Sequence, residues 1–348
     1  MRGYIPGEQP VSEDVIKLNT NENPYPASPL VADALATIQI GELRRYPMPT
    51  AYQFRKTAAQ IHQINPLNII PTNGGDELLR LAITTFLDER ETVAITKPSY
   101  SLYPVLTKIR NCSLTEIGLS GKFNLPKNFA NLLEKTKAKM CILVNPHAPA
   151  GSLLPSAFID ELATSFTGVL VIDEAYVDFV DPSENYNCIP LVNKHKNLLI
   201  LRTLSKGYSL AGLRFGYGIA DPSLIEPMMS KTRDSYNTDY VSQKLATAAL
   251  LSQEYARHTW NKIRWSRQDL MIRLVDLGLQ PLPSQTNFLL TEVPEKVGAS
   301  NLYHELKRRN ILVRYFDEDP LRNNIRISIG SEKENDILIS SIKEAIVK

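Results

Sequence analysis

Lys206 closes the apolar run LLILRTLS, and Arg214 follows it eight residues later in RTLSKGYSLAGLRFG. A lysine delivered by what reads as a buried strand is poorly hydrated. Its hold on the proton weakens and its amine becomes a nucleophile. Other reactive side chains also stand where apolar runs end. Asp173 ends VLVID and is followed by Glu174, Ala175 and Tyr176; Asn73-Gly74-Gly75 follows NIIPT; Tyr100 and Tyr103 follow TVAIT; Asn145 ends CILVN. A carboxylate at the end of an apolar strand is costly unless it meets a cation. Glycines that open a helix let backbone N–H groups approach an anion at a terminus that already favours negative charge. The hydroxyls of Thr203 and Ser205 and the guanidinium of Arg214 add to such a site.

Taken singly, these residues have plainer readings. Gly74-Gly75 is a tight turn, Arg214 a surface ion pair, Asp173 a helix cap or internal salt bridge, and Tyr176 a core tyrosine. Together they offer a nucleophilic lysine, a phosphate cradle, an acid for a protonated ring nitrogen, and the Tyr100 ring for stacking. Pyridoxal 5′-phosphate needs that combination.

The elements that must position these groups follow a regular pattern. The expected strands are 68–72, 92–96, 141–145, 169–173, 198–203 and 215–220, with helices over 76–87 and 156–166 between them. Apolar strands alternating with helices predict an α/β fold whose mainly parallel sheet is covered on both faces. In such sheets ligands bind beyond the carboxyl ends of the strands, where the reactive residues fall. After about 240 the texture changes. A long helical region over 240–278 leads to NFLLTEV, the helix ASNLYHELKRRN, the strands ILVRYF and NIRISIG, and a last helix opened by the capping box of Ser331 and Glu334. The expected division is an irregular N-terminal arm (1–29), a large domain (30–250) and a smaller α+β domain (251–348).

Composition narrows the classes. The 348 residues are 43% hydrophobic and 22% charged, which suits a folded chain with a large core rather than a disordered one. Thirty-nine basic and 37 acidic residues leave a net charge of +2, which argues against a dedicated nucleic-acid binder. Cys112, Cys141 and Cys188 have no paired or metal-like spacing, so a reducing, cytoplasmic setting without a bound metal is expected. No signal pattern opens the chain, and no apolar stretch nears the ~20 residues needed to cross a bilayer, so no membrane partner is expected.

The stretches LNTNENPYP (18–26), RRYPMPTA (44–51), NGGDELL (73–79), KPSYSLY (97–103), VNPHAPAG (144–151), VIDEAYVDF (171–179), LRTLSKGYSLAGLRFGY (201–217) and IRISIG (325–330) span nearly the whole chain. Through them it resembles the fold-type I pyridoxal-phosphate aminotransferases, one branch of which acts on histidinol phosphate. That resemblance implies amino transfer between glutamate and imidazole-acetol phosphate in histidine biosynthesis. Aromatic amino acids, or decarboxylation of threonine phosphate, are the alternatives on the same fold. It assigns Lys206 as Schiff-base lysine and proton shuttle, Asp173 to the pyridine nitrogen, and Tyr176 to the phenolic oxygen. Gly75, Asp76, Thr203, Ser205 and Arg214 take the phosphate, and Tyr100 stacks on the ring. Tyr46 would reach the phosphate of a second subunit, which implies a homodimer with shared sites. Arg326 would grip the co-substrate carboxylate, while Arg314, Tyr4 and Asn23 would complete the substrate site. One position departs from the family. Where its Asn-Pro-Thr-Gly motif supplies a second partner for the phenolic oxygen, this chain has Ala148-Pro149-Ala150-Gly151. That leaves Tyr176, with Asn145 and His147 as neighbouring candidates.

Overall fold

Twelve strands form two sheets in the computed structural model, which describes every residue except 1, 2, 5, 11, 13, 347 and 348. The large sheet holds seven: β2 (Ile69–Thr72), β3 (Thr92–Lys97), β4 (Ser113–Gly118), β5 (Met140–Val144), β6 (Val169–Asp173), β7 (Leu198–Thr203) and β8 (Gly216–Ala220). Their spatial order is β2-β8-β7-β6-β5-β3-β4. Pairing from β7 through β4 is parallel throughout. Only β8 runs against its neighbours, β7 and β2.

The period-two geometry of a strand splits the core into two layers. Cys141, Leu143, Leu170, Ile172, Leu198 and Ile200 face one layer. Ile142, Val171, Leu199 and Leu201 face the other. Helices Tyr52–His62, Ser156–Ser165 and Tyr240–Leu251 cover the first face, through residues such as Phe54, Ile159 and Leu245. Helices Gly74–Phe86 and Leu102–Ile109 cover the second, through Leu78, Ile83 and Leu106.

The lone antiparallel strand has a local cause. A parallel strand needs a crossover of a dozen or more residues, usually a helix. The β7–β8 connection, residues 204–215, has the length but no α-helix to carry a crossover, only the 3-10 turn Ala211–Leu213, and the chain returns beside the strand it has just left. Leu204 N donates to the Phe215 carbonyl at 3.0 Å and closes that return. Because β2 pairs antiparallel to β8, it points the same way as β7. The loops after β2, β3, β5, β6 and β7 therefore open at one edge.

The second sheet has the order β1-β11-β12-β10-β9, from β1 (Ile16–Leu18), β9 (Gln280–Pro281), β10 (Phe288–Glu292), β11 (Ile311–Tyr315) and β12 (Asn324–Ser328). Its core gathers Val313, Ile325 and Ile327 with Leu338 and Ile342 of the last helix. The capping box expected there is present, with Ser331 N donating to Glu334 Oε2 at 2.7 Å.

Three features differ from the sequence reading. Ile16–Leu18, within the stretch expected to be an irregular arm, pairs parallel with β11. The edge strand β4 alternates too weakly to stand out, since all of its residues except Ile117 are exposed or half-exposed. The region 240–278 is two helices, Tyr240–Leu251 and Gln253–Asp276. Ser252 leaves the helical well at ψ 43°, and its hydroxyl turns back to the Ala249 carbonyl at 2.7 Å. Among the described residues no helix is long and apolar enough to cross a membrane.

Gly216 lets β8 lie against the turn that opens the Gly74–Phe86 helix. A Cβ there would stand 2.8 Å from both Gly74 C and Gly75 N. Both are backbone atoms, so Gly216→Ala must displace a strand or the turn. A loss of about 1–3 kcal/mol in urea unfolding is expected. An unchanged unfolding midpoint would show that β8 has slack at this contact.

Candidate active site

Lys206 is aimed by the hydroxyls before it. Thr203 Oγ1 donates to Ser205 Oγ at 3.0 Å, and Ser205 N donates back to Thr203 Oγ1 at 3.1 Å. The next residue is held from below. Trp260 Nε1 donates to the Gly207 carbonyl at 2.7 Å, and a Cβ on Gly207 would come within 2.1 Å of Asp178 Oδ2. The ammonium of Lys206 donates to the Thr20 carbonyl at 2.8 Å. No carboxylate of a described residue pairs with it. Burial, then Arg326, brings its pKa down to about 8, against a smaller opposing pull from Glu22.

Asp173 and Glu174 face opposite ways from the end of β6. Asp173 accepts from Tyr103 Oη at 2.8 Å and from Ala175 N at 3.1 Å. Both donors are neutral, and no described cation pairs with the carboxyl. Burial therefore dominates and raises its pKa to about 6. Glu174 turns below the cavity and accepts from Arg202 Nε at 2.6 Å and Tyr186 Oη at 2.7 Å.

Tyr176 Oη accepts from Asn21 Nδ2 at 3.0 Å. Ala148 packs beside it with Val144 and Phe288 and brings only a methyl group. The two neighbouring candidates are committed elsewhere. The Asn145 side chain exchanges two bonds with the Leu154 backbone, at 3.0 and 2.8 Å. His147 Nε2 donates to the Pro98 carbonyl at 3.1 Å, and burial drives its pKa down to about 4.

The donor-rich end of the cavity is assembled from two loops. Gly74 has φ +78°, and the Gly74–Phe86 helix presents its first N–H groups, which lack partners within the helix. Arg214 is also left-handed, at φ +55°, and its Nη2 lies 3.4 Å from Asp76 Oδ2. Tyr100 Oη approaches Asp76 Oδ1 at 3.4 Å, and its ring meets those of Tyr4 and Tyr103 edge-on, with centroids 5.5 and 5.4 Å away.

Opposite stand two guanidiniums. Arg314 and Arg326 face each other across the β11–β12 pair. Arg326 lies over the rings of Phe288 and Phe316 at 5.1 and 5.6 Å, and donates from Nη2 to the Asn19 carbonyl at 3.1 Å. Its Nε is buried without a partner, and burial lowers its pKa. Among the described residues neither arginine has a carboxylate within ion-pair distance. Two cations without counter-ions, beside an acid without a cation, form a site made for a zwitterionic or multiply anionic guest.

Every cofactor- or substrate-site residue expected from the sequence lines one cavity of about 450 Å³, except Tyr46 and Asn23. Asn23 bonds the Tyr25 backbone N–H at 3.0 Å and the Gly207 carbonyl at 3.3 Å. Tyr46 is 80% exposed and stacks on Tyr236 with centroids 4.4 Å apart. The sequence reading passed over Asn21 and the role of Tyr103. Both lie inside stretches already singled out, but their partners are 155 and 70 residues away.

The chain is similar to known proteins over nearly its whole length. The model of the family "Aminotransferase class I and II" matches residues 13–342. The histidinol-phosphate aminotransferase of Rippkaea orientalis is 40% identical over 342 residues, covering 98% of this chain and 95% of its own. That of Geobacter sulfurreducens is 39% identical over 350 residues, covering 99% and 97%. The crystal structure of histidinol-phosphate aminotransferase from Sinorhizobium meliloti in complex with pyridoxal-5′-phosphate superposes with a TM-score of 0.89 at 26% identity, covering 95% of this chain and 91% of that one.

The raised pKa of Asp173 yields a prediction. The folded protein holds this proton more tightly than the unfolded chain, whose value is near 3.8. Stability therefore falls as pH rises from about 4 through about 6 and stays lower above. In cofactor-free protein at pH 8, Asp173→Asn should unfold higher by on the order of a few °C, a gain that vanishes below pH 4. Thermal scans across that range check it. A variant less stable than wild type at pH 8 would mean that the carboxylate is already neutralised.

Proposed function

The chain belongs to the class I and II aminotransferases, and on that premise we propose that it is a pyridoxal-phosphate-dependent histidinol-phosphate aminotransferase of histidine biosynthesis. It moves an amino group between glutamate and imidazole-acetol phosphate, giving histidinol phosphate and 2-oxoglutarate. The observation that carries this reading is near full-length identity of 40% to a histidinol-phosphate aminotransferase, joined to a cavity that holds the matching donor set.

The cavity suits the cofactor on chemical grounds. Asp173 is a buried acid with no cation, as a protonated pyridine nitrogen requires. Gly75, Asp76, Thr203, Ser205 and Arg214 gather N–H groups, hydroxyls and a guanidinium for its phosphate. Bound there, pyridoxal phosphate supplies an electron sink that acidifies the α C–H bond of the substrate amine. Asp173 keeps the ring nitrogen protonated, and Tyr176 offers its hydroxyl proton to the phenolic oxygen. Tyr100 covers a ring face. Lys206 Nζ is the nucleophile that carries the cofactor. With the cofactor bound, its amine would be the base that takes the substrate's α-proton and hands it back, a role typically worth ~10²–10⁴-fold. A pKa near 8 keeps a useful share of the amine neutral. Arg326 holds the carboxylate of glutamate, and Arg314 and Tyr4 lie beside it toward the phosphorylated substrate.

The working enzyme is a cytoplasmic homodimer whose chains divide into an arm (1–29), a large domain (30–250) and a small domain (251–348). Tyr46 supports the dimer. It stands on an exposed apolar band with Ile40, Met48 and Tyr52, at 83%, 62% and 54% exposure. Such a band suits a second copy, whose phosphate site Tyr46 would enter.

Turnover assays on histidinol phosphate, phenylalanine and threonine phosphate test the substrate. Histidinol phosphate should give the highest kcat/KM by at least about tenfold, a difference of about 1.4 kcal/mol in transition-state binding. Preference for phenylalanine, or carbon dioxide release from threonine phosphate, would replace the assignment.

Lys206→Ala should bind pyridoxal phosphate without the visible band of the covalent form and lose nearly all turnover. Mixed with Tyr46→Ala chains, it should recover roughly a quarter of wild-type activity, since randomly formed hybrid dimers keep one intact site. No recovery despite proven subunit exchange would confine Tyr46 to its own chain.

A further inference from the structure

The segment 19–23 threads between the two sheets, and Asn21 is its most constrained residue. It is 2% exposed and left-handed at φ +56°, a conformation that asparagine tolerates. Its backbone N–H donates to Ser328 Oγ at 2.9 Å, and that hydroxyl donates to Asn21 Oδ1 at 3.1 Å. Its carbonyl accepts from Asn287 Nδ2 at 2.9 Å. With Oδ1 taken by Ser328, the amide is oriented so that Nδ2 points at Tyr176 Oη, 3.0 Å away.

An amide N–H can only donate, so Tyr176 Oη must accept in this contact. Its proton is left to point elsewhere, and no other described residue bonds the hydroxyl. The remaining direction is the cavity, where Lys206 Nζ lies 6.0 Å from the centre of the Tyr176 ring. Ala148, packed beside the ring, has no group to share the task.

We infer that Asn21 is a positioning residue that holds the Tyr176 hydroxyl as an acceptor on one side, so that its proton is offered to the cofactor's phenolic oxygen on the other. It acts through the Tyr176 hydroxyl and compensates for the amide that position 148 lacks. The inference rests on the role proposed above for Tyr176. It also links that hydroxyl to β12, which carries Ser328 and, two residues earlier on the same face, Arg326.

The test is the pH titration of the visible absorbance of protein loaded with pyridoxal phosphate. A donor to the phenolic oxygen favours its full negative charge, which develops when the nitrogen joined to Lys206 loses its proton. The donor therefore lowers the titration midpoint, and its loss raises it. The other groups facing Tyr176, namely Arg326, Asp173, Tyr4, Lys206, Tyr100 and Tyr103, stay constant in the comparison. Tyr176→Phe should raise the midpoint by about one to two pH units. Asn21→Gly, which keeps the left-handed backbone, should raise it by about half a unit or more. The double variant should titrate like Tyr176→Phe alone. Asn21→Asp, matched in shape, is the second probe. Its carboxylate would draw the tyrosine proton away from the cavity and raise the midpoint at least as far. Wild-type midpoints in both Asn21 variants, with Tyr176→Phe shifted, would overturn the inference and leave the role of Tyr176 standing. So would an Asn21→Gly shift that persists undiminished in the Tyr176→Phe background. An unshifted Tyr176→Phe would remove both readings.

Discussion

Arg202 Nε meets Glu174 Oε2 at 2.6 Å beneath the cavity, and the site depends on that contact. Glu174 directly follows Asp173, and Arg202 directly precedes Thr203. The pair therefore ties together the ends of two parallel strands, one carrying the buried acid and the other leading to Lys206. Ion pairs this deep add little net stability, because desolvation offsets the attraction. Breaking one by removing a single partner is nevertheless costly, at roughly 3–5 kcal/mol. The pair works as a register lock. With Asp173 opposite Leu201 across β6 and β7, acid and amine are set at fixed places on one rim.

Above this lock the electrostatics are left incomplete. Lys206 has only a carbonyl, Asp173 only neutral donors, and Arg326 an unpartnered Nε. Each would be unfavourable as a permanent arrangement of a folded chain. Their pKa values move accordingly, with the lysine and the arginine brought down and the aspartate pushed up, burial being the largest cause in each case. A guest with a protonated ring nitrogen, a phosphate and a carboxylate completes all three at once. Burying these three groups without full partners costs stability that such a guest would return on binding, as is common where a site is organised before its ligand arrives.

The N-terminal segment turns two sheets into one site. Within three residues, the Asn19 carbonyl receives Arg326, the Thr20 carbonyl receives Lys206, and the Asn21 amide reaches Tyr176. The segment is anchored by β1, whose pairing with β11 continues the sheet that carries both arginines. The Arg326 guanidinium and the Tyr176 hydroxyl are thus connected through a few well-buried hydrogen bonds of this segment.

The sequence by itself determined the layers and the rim. Short continuous apolar runs, glycines before a helix and polar residues at strand ends are local signals, so β5, β6, β7 and the positions of Lys206, Asp173 and Arg214 could be read directly. Tertiary structure decided the partners. Asn21 with Tyr176, Tyr103 with Asp173 and Arg202 with Glu174 are joined across 155, 70 and 28 residues, distances at which no periodicity carries information. It also decided that Asn145 ties its own loop to Leu154 while His147 reaches across to the Pro98 carbonyl, that Asn23 braces the Gly207 turn, and that Tyr46 stands outside the cavity of its chain. The physical reason is the same in each case. A side chain's type fixes which bonds it can make, but only the folded chain fixes which donor comes within 3 Å of which acceptor.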